Sequence, residues 1–183
     1  MTSIIKVDQI QTAAGGVPTA ADLGLNVSGT VLQVKQTVMT SVAIINSTSF
    51  TEVLALTTSI TPSSVNSKIL IDVNVNVSGN GHYDIKLQGD NTDLLIGDAA
   101  GSRVRSSYHG YRGTTYNTTY DTESVALRFL HSPNTTSPVT YRIVGATPYS
   151  ASYYLLINRE YHDDDAAYQA RTASTMTLTE IAG

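Results

Sequence analysis

The chain contains no cysteine and no tryptophan. Without cysteine, a disulfide scaffold, a thiolate metal site and a cysteine nucleophile are all excluded. Charge is scarce as well: Asp, Glu, Lys and Arg make up 14% of the residues, against about a quarter in ordinary globular chains. The charge present sums to −4, so the concentrated basic surface that phosphate recognition needs is missing and no nucleic-acid partner is expected. No apolar run approaches the ~18 residues of a membrane helix, and no membrane insertion is expected. Residues 1–6 lack a basic-then-apolar leader, so no secretory signal is expected and assembly inside a cell without oxidative help is. Amphipathic helical periodicity is missing too; no stretch of three turns carries it. In place of charge the chain carries Thr, Ser, Asn and Gly, while hydrophobic residues still reach 41%. That composition builds a core rather than a disordered coil. The length of 183 residues suits one domain, or a short arm plus one domain.

The first thirty residues differ from the rest. Ile4, Ile5, Val7 and Ile10 are apolar positions scattered among polar ones, followed by the flexible Ala13-Ala14-Gly15-Gly16-Val17-Pro18. Thr19 as N-cap and Gly24 as stop would frame one helical turn carrying Leu23. Such a segment is too short to bury its own side chains, so residues 1–30 are expected to form an arm that packs onto something else.

From Val31 onward the period is two. In 68–77, Ile69, Ile71, Val73, Val75 and Val77 share one face and Asp72, Asn74 and Asn76 the other. Ser78-Gly79-Asn80-Gly81 has turn composition, and Tyr83, Ile85 and Leu87 then alternate with Asp84, Lys86 and Gln88, which predicts an antiparallel hairpin with one buried and one wet face. Further strands are expected around Leu32–Val38, with Val42 and Ile44 continuing it after a break, and in 50–60 before Pro62. Others are expected around Val125–Leu130, Val139–Val144, 153–158 (apolar throughout, hence buried on both faces) and 175–181, where Met176 and Leu178 oppose threonines. Seven to nine short strands separated by Gly, Asn, Ser and Pro clusters predict an all-β fold: an antiparallel β-sandwich, jelly-roll-like, over 31–183.

Between residues 97 and 124 the pattern dissolves into small polar residues interleaved with aromatics. Ten of the eleven tyrosines lie after residue 107. Tyrosine gives rigid, amphipathic contact area at low entropic cost, which suits a recognition surface; a solvated insertion or packing against a neighbouring subunit are the alternatives. The candidates for surface recognition are Tyr108, His109, Tyr111, Arg112, Tyr116 and Tyr120.

Catalytic motifs are missing. There is no G-x-S-x-G elbow, no phosphate-binding loop and no H-E-x-x-H pair, and His82, His109, His131 and His162 have no motif context. No catalytic residue and no cofactor is expected. In Arg159-Glu160-Tyr161-His162-Asp163-Asp164-Asp165, the set His162, Asp163 and Asp165 offers ligands to a hard cation such as calcium. The alternative is an acidic connecting loop in which Asp163 or Asp164 caps a turn at Ala166–Tyr168, with Arg171 as a neutralising partner. Five sequons, at Asn26, Asn46, Asn76, Asn117 and Asn134, follow from the composition and are not expected to be glycosylated.

Ile5-Lys6-Val7-Asp8-Gln9-Ile10-Gln11, Gly15-Gly16 and Ser28-Gly29-Thr30-Val31-Leu32-Gln33-Val34 resemble the opening of small virion proteins of marine tailed bacteriophages of the cyanophage type. Ser59-Ile60-Thr61-Pro62-Ser63-Ser64 with Lys68-Ile69-Leu70-Ile71 resembles the same group, as do Ile157-Asn158-Arg159, Ala170-Arg171-Thr172 and Thr177-Leu178-Thr179-Glu180-Ile181-Ala182. The likeness touches both ends and the middle and leaves out 102–121. It implies a tail-fibre-like structural protein of the virion, assembled in the host cytoplasm, trimeric as such fibres and knobs commonly are. The arm would anchor it to other virion proteins through Ile4, Ile5, Val7, Ile10 and Leu23. The β-domain would face outward, toward a host-surface glycan or protein. Three alternatives stand beside this one: a capsid decoration protein without a receptor role, a stand-alone carbohydrate-binding module and, last, a glycan-degrading enzyme.

Overall fold

Alternation of β-branched and polar residues builds the central strand, and it runs further than the sequence suggests. The computed structural model describes residues 10–18, 22–24, 27–113 and 120–183. In it, β4 extends over Lys68–Gly89, with Ile69, Ile71, Val73, Val75 and Val77 fully buried, and Tyr83, Ile85 and Leu87 fully buried beyond them. The hairpin expected at 78–81 is absent, although the two alternating halves it was to join are both present. Gly79 (φ 156°) and Gly81 (φ 66°) let the strand bend while keeping odd-numbered residues inward. A Cβ on Gly79 would lie 2.1 Å from the Tyr154 carbonyl oxygen, and one on Gly81 would lie 2.3 Å from the Tyr153 ring. Glycine is therefore required here by close approach as well as by backbone conformation. At the bend a neighbouring strand replaces the turn, with the Asn80 side-chain oxygen accepting from the Tyr154 amide at 2.7 Å.

The other strands attach to β4 in register. Its first part lies between β10 (Ser174–Ile181) and β7 (Glu123–His131). Val77–Asn80 pairs with β9 (Tyr154–Ile157). Asp84–Ile85 lies between β8 (Val139–Ala146) and β6 (Tyr108–Arg112), and 87–89 between β8 and β5 (Thr92–Leu94). Outermost are β1 (Val31–Met39) on β10, β2 (Ala43–Ile45) on β9 and β3 (Thr51–Ile60) on β8. All these pairings are antiparallel. The ten strands form one curled sheet, sandwich-like, in which β4 belongs to both layers. No helix occurs among the described residues. The Leu155-Leu156-Ile157 run is buried throughout, as its unbroken apolarity predicts. Ile44 leads β2 onto β9 rather than continuing β1, and β6 crosses the segment expected to be a structureless loop.

Side chains join the layers where no β-ladder does. Thr58 donates to the Thr37 hydroxyl at 2.8 Å, and Gln33 donates to the Thr61 carbonyl at 2.8 Å. Asn158, fully buried in a left-handed conformation, donates to the carbonyls of Met39 (2.8 Å) and Ser41 (2.9 Å) and accepts from Ser174 at 2.6 Å. It fixes the β1–β2 corner against the approach to β10. Glu180 continues the inward row Ser174, Met176, Leu178 at the end of the sandwich. There it accepts from the Ser63 amide and hydroxyl, each at 2.7 Å, and from Gln33.

Burial by itself would push the Glu180 carboxyl up, but the donors from Gln33, Ser63 and Ser67 outweigh it and hold the group below the usual carboxylate range. Glu123 follows the same logic: desolvation raises it, and hydrogen bonds from Tyr108 and Tyr83 with the charge of Arg112 bring it below that range. A carboxylate depressed in the folded state stabilises the fold above its unfolded value, near 4.3 for glutamate, and that contribution is lost as pH falls through the folded value. Thermal melting is therefore expected to fall steeply below about pH 4, after a shallower loss beginning below about 6.5, where desolvation of His131 lets the unfolded chain take up a proton that the folded one does not. Glu180→Gln should flatten that acid limb in a melting series; an unchanged limb would contradict the assignment.

Candidate functional site

Strand parity divides the tyrosine-rich candidates. On β6, Tyr108, Gly110 and Arg112 face one way and His109 and Tyr111 the other. Tyr108 packs against the core, and its hydroxyl donates to Glu123 at 2.7 Å, as does that of Tyr83. Arg112 pairs with Asp121 at 2.5 Å and with Glu123 at 3.4 Å. Desolvation and the Glu123 carboxylate push the Tyr108 phenol up to about 12 and raise Tyr83 as well. Tyr108 and Arg112, expected as surface recognition residues, are thus part of an inward-facing Tyr–Tyr–Glu–Arg network, because their parity matches the buried face of β4. Tyr120 lies in another group, its ring 4.8 Å from that of His162 and 6.0 Å from that of Tyr168. Tyr116 lies outside the described residues.

The outward pair, His109 and Tyr111, meets the polar face of β4. Tyr111 sits opposite His82 and His109 opposite Asp84. The segment preceding β6 folds over this face: the Ser107 amide donates to the Ile85 carbonyl at 2.8 Å, and Arg105 donates to the Gly97 carbonyl at 2.7 Å. A cleft of about 450 Å³ results, lined by His82, Asp84, Arg103, Val104, His109, Pro148 and Tyr149. Asp84 is its floor, only 3% exposed. Its Oδ1 accepts from the Ser106 hydroxyl at 2.7 Å and contacts His109 Nδ1 at 3.2 Å. The far nitrogen of that ring, Nε2, faces His82 Nδ1 at 3.4 Å. Aromatic rings flank the histidines: Tyr111 lies 4.6 Å, Tyr149 6.0 Å and Tyr153 6.5 Å from the His82 ring, centre to centre. Tyr149 stacks on Tyr153 and is 77% exposed.

Apolar ring faces beside a buried acceptor and imidazole nitrogens suit a ligand with both hydrocarbon faces and hydroxyls. The single hydroxyl proton of Ser106 goes to Asp84, so His109 has no serine proton to accept. His82, Asp84, Arg103 and Tyr149 were not among the residues singled out from the sequence. The available signal was the polar half of the 83–88 alternation, whose partner strand could not be identified without β6.

The cation set expected at His162, Asp163 and Asp165 is not assembled. Asp163 accepts from Arg171 at 2.7 Å and lies 3.3 Å from Arg159, while His162 stacks on Tyr120. Among the described residues no group of three or more His, Asp or Glu side chains has the placement to hold a metal. The segment is an acidic connecting loop, but its turn is held by main chain and by Gln169 rather than by an aspartate side-chain cap: the Asp164 amide donates to the Gln169 side chain at 2.7 Å, and the Ala166 amide to the Asp164 carbonyl at 2.9 Å. The cations beside Asp163 are the protein's own guanidinium groups, Arg171 and Arg159.

Of the arm candidates, Ile4, Ile5 and Val7 lie outside the described residues. Ile10 is 55% exposed and Leu23 44%. Val17 and Val27 are exposed beside them. The exposed apolar series continues into the outermost strand at Val31, Val34 and Val38. On the outer face of that layer, register aligns Val34, Thr179, Leu70 and Leu130 in one row across β1, β10, β4 and β7. The next row is Gln36, Thr177, Asp72 and Arg128, in which Arg128 is already paired with Asp72. No protein-family model and no curated protein sequence matches the chain.

Proposed function

We propose that the protein is a non-enzymatic structural component of a bacteriophage virion, a homotrimeric fibre or knob that anchors through residues 1–30 and contributes to host attachment through the cleft above Asp84. The observation that carries this reading is the set of exposed apolar side chains in the described parts of the arm (Ile10, Val17, Leu23, Val27) and on the edge strand that follows it (Val31, Val34, Val38). These side chains gain little from their own sandwich, and an unpaired edge strand bearing them is a surface that another chain covers. The threonine- and valine-bearing outer rows suit identical copies, since they carry one ion pair, Arg128 with Asp72, whose charges offset each other and which can stay at the solvated rim of a contact. The sequence resemblance to small phage virion proteins points the same way.

The cleft supplies the attachment part. Tyr111, Tyr149 and Tyr153 offer ring faces to the C–H surface of a sugar, and Asp84 and the histidines offer partners to its hydroxyls, so a host-surface glycan is the ligand class. The test is a glycan array and a host-cell binding assay on the intact protein. Tyr149→Ala removes an exposed ring and should leave the melting temperature unchanged, while binding falls about tenfold, the loss of about 1.4 kcal/mol. Undiminished binding by that variant, or an array without a single glycan bound by the parent, would defeat the attachment role.

A further inference from the structure

We propose that His82 and His109 are the protein ligands of a zinc-class transition-metal site whose remaining coordination positions open into the cleft. This inference concerns the same cleft as the glycan reading but does not rest on it, since the metal alone is the probe.

Three observations carry it. First, the nitrogen-bearing edges of the two rings face each other: His82 Nδ1 and His109 Nε2 are 3.4 Å apart, with ring centroids 5.5 Å apart. That spacing is long for a hydrogen bond, whose heavy atoms sit at about 2.7–3.2 Å. It is the separation that a tetrahedral cation imposes on two imidazole nitrogens held about 2.0–2.1 Å from it. Second, the other nitrogen of His109 is already engaged. Its Nδ1 lies 3.2 Å from Asp84 Oδ1, and in the tautomer that donates to this carboxylate Nε2 presents its lone pair toward His82. The carboxylate is 3% exposed and is itself held by the Ser106 hydroxyl at 2.7 Å, so the orienting group does not swing away. A buried carboxylate behind a histidine is the usual support for a metal-ligating imidazole.

Third, the two histidines stand on paired antiparallel strands. Asp84 is opposite His109 and His82 opposite Tyr111, so both rings rise from the same face of a rigid ladder and little side-chain freedom is lost on binding. No third His, Asp or Glu of the described residues completes the set. The open positions therefore belong to water or to an oxygen-bearing ligand in the cleft, and imidazole nitrogen selects zinc, copper, nickel or cobalt over calcium or magnesium.

The experiment uses the full chain, free of any histidine tag and stripped with a chelator, titrated with Zn²⁺ by calorimetry and with Co²⁺ by visible absorption. The expected result is one ion per chain, with a rise in melting temperature on adding Zn²⁺. His82→Ala and His109→Ala should each weaken binding at least tenfold and abolish that rise. Asp84→Asn should weaken it 10–100-fold while both ligands remain. His162→Gln, at the stacked ring beside Tyr120, should bind as the parent does. Metal-free melting of each variant reports folding separately. No stoichiometric binding by the parent, or equal binding by the His82→Ala/His109→Ala double variant, would overturn the proposal.

Discussion

Gly79→Ala is expected to destabilise the protein by about 3–5 kcal/mol, combining a positive-φ backbone conformation (φ 156°) with overpacking against a carbonyl oxygen. The added carbon would lie 2.1 Å from the Tyr154 oxygen, and that oxygen belongs to the strand pairing with β4 across its bend. Backbone cannot move aside as a flexible side chain can, so the substitution must open the β4–β9 ladder or re-bend β4. Melting should fall by roughly 10 °C in a domain of this size. Gly97→Ala is the matched control, because nothing lies within 4 Å of a Cβ there; it should change stability by no more than about 0.5 kcal/mol. Equal melting of the two variants would mean that the bend is not what joins the layers.

Removal of residues 1–29 is expected to separate folding from assembly. The described part of that segment exposes Ile10, Val17, Leu23 and Val27, and the sandwich core draws on none of them. The truncated chain should therefore melt within a few degrees of the parent, yet be absent from purified particles in a complementation experiment. Single substitutions of Ile10 or Leu23 by Asp should reduce incorporation partially, by placing a charge in the buried contact. Full incorporation of the truncated chain would remove the anchoring role. Particle imaging then distinguishes a tail fibre from a head-decorating protein by the position of the density.

Much of the fold was legible because period-two alternation is a local signal. Ile69 through Val77, Tyr83 through Leu87, and Met176 with Leu178 all lie inward as their spacing requires. The sequence at Gly79 predicts a turn where the structure has a bend, because a glycine-rich tetrapeptide serves both purposes. What distinguishes them is whether another strand lies close enough to need the missing Cβ, and Tyr154 is 75 residues away in sequence. Glu180 and Asn158 were equally opaque, since a buried polar residue is recognisable only through its partners. Ser63, Gln33, Met39 and Ser41 supply those partners from distant segments.

The candidate site was half legible. An aromatic-rich segment was marked, and His109 and Tyr111 do line or flank the cleft. Tyr108 and Arg112 face the opposite way because β6 is a strand, and strand parity cannot be assigned to a segment expected to be a loop. The acidic run at 163–165 drew attention by its charge density, but Arg171 and Arg159 neutralise its most enclosed carboxylate. Asp84 lies in an expected strand on the face assigned to water, and His82 just before it, between the glycine-rich tetrapeptide and that strand. Pairing with β6 is what turns that face into a cleft.

The mass of the full-length protein in solution, measured by light scattering across a dilution series, tests the account most directly. The chain weighs 19.5 kDa; an assembly held together as the concentration falls is what the exposed Val31–Val38 edge leads us to expect, and three copies is the number the proposed fibre or knob requires. A stable single-copy mass at every concentration would contradict it.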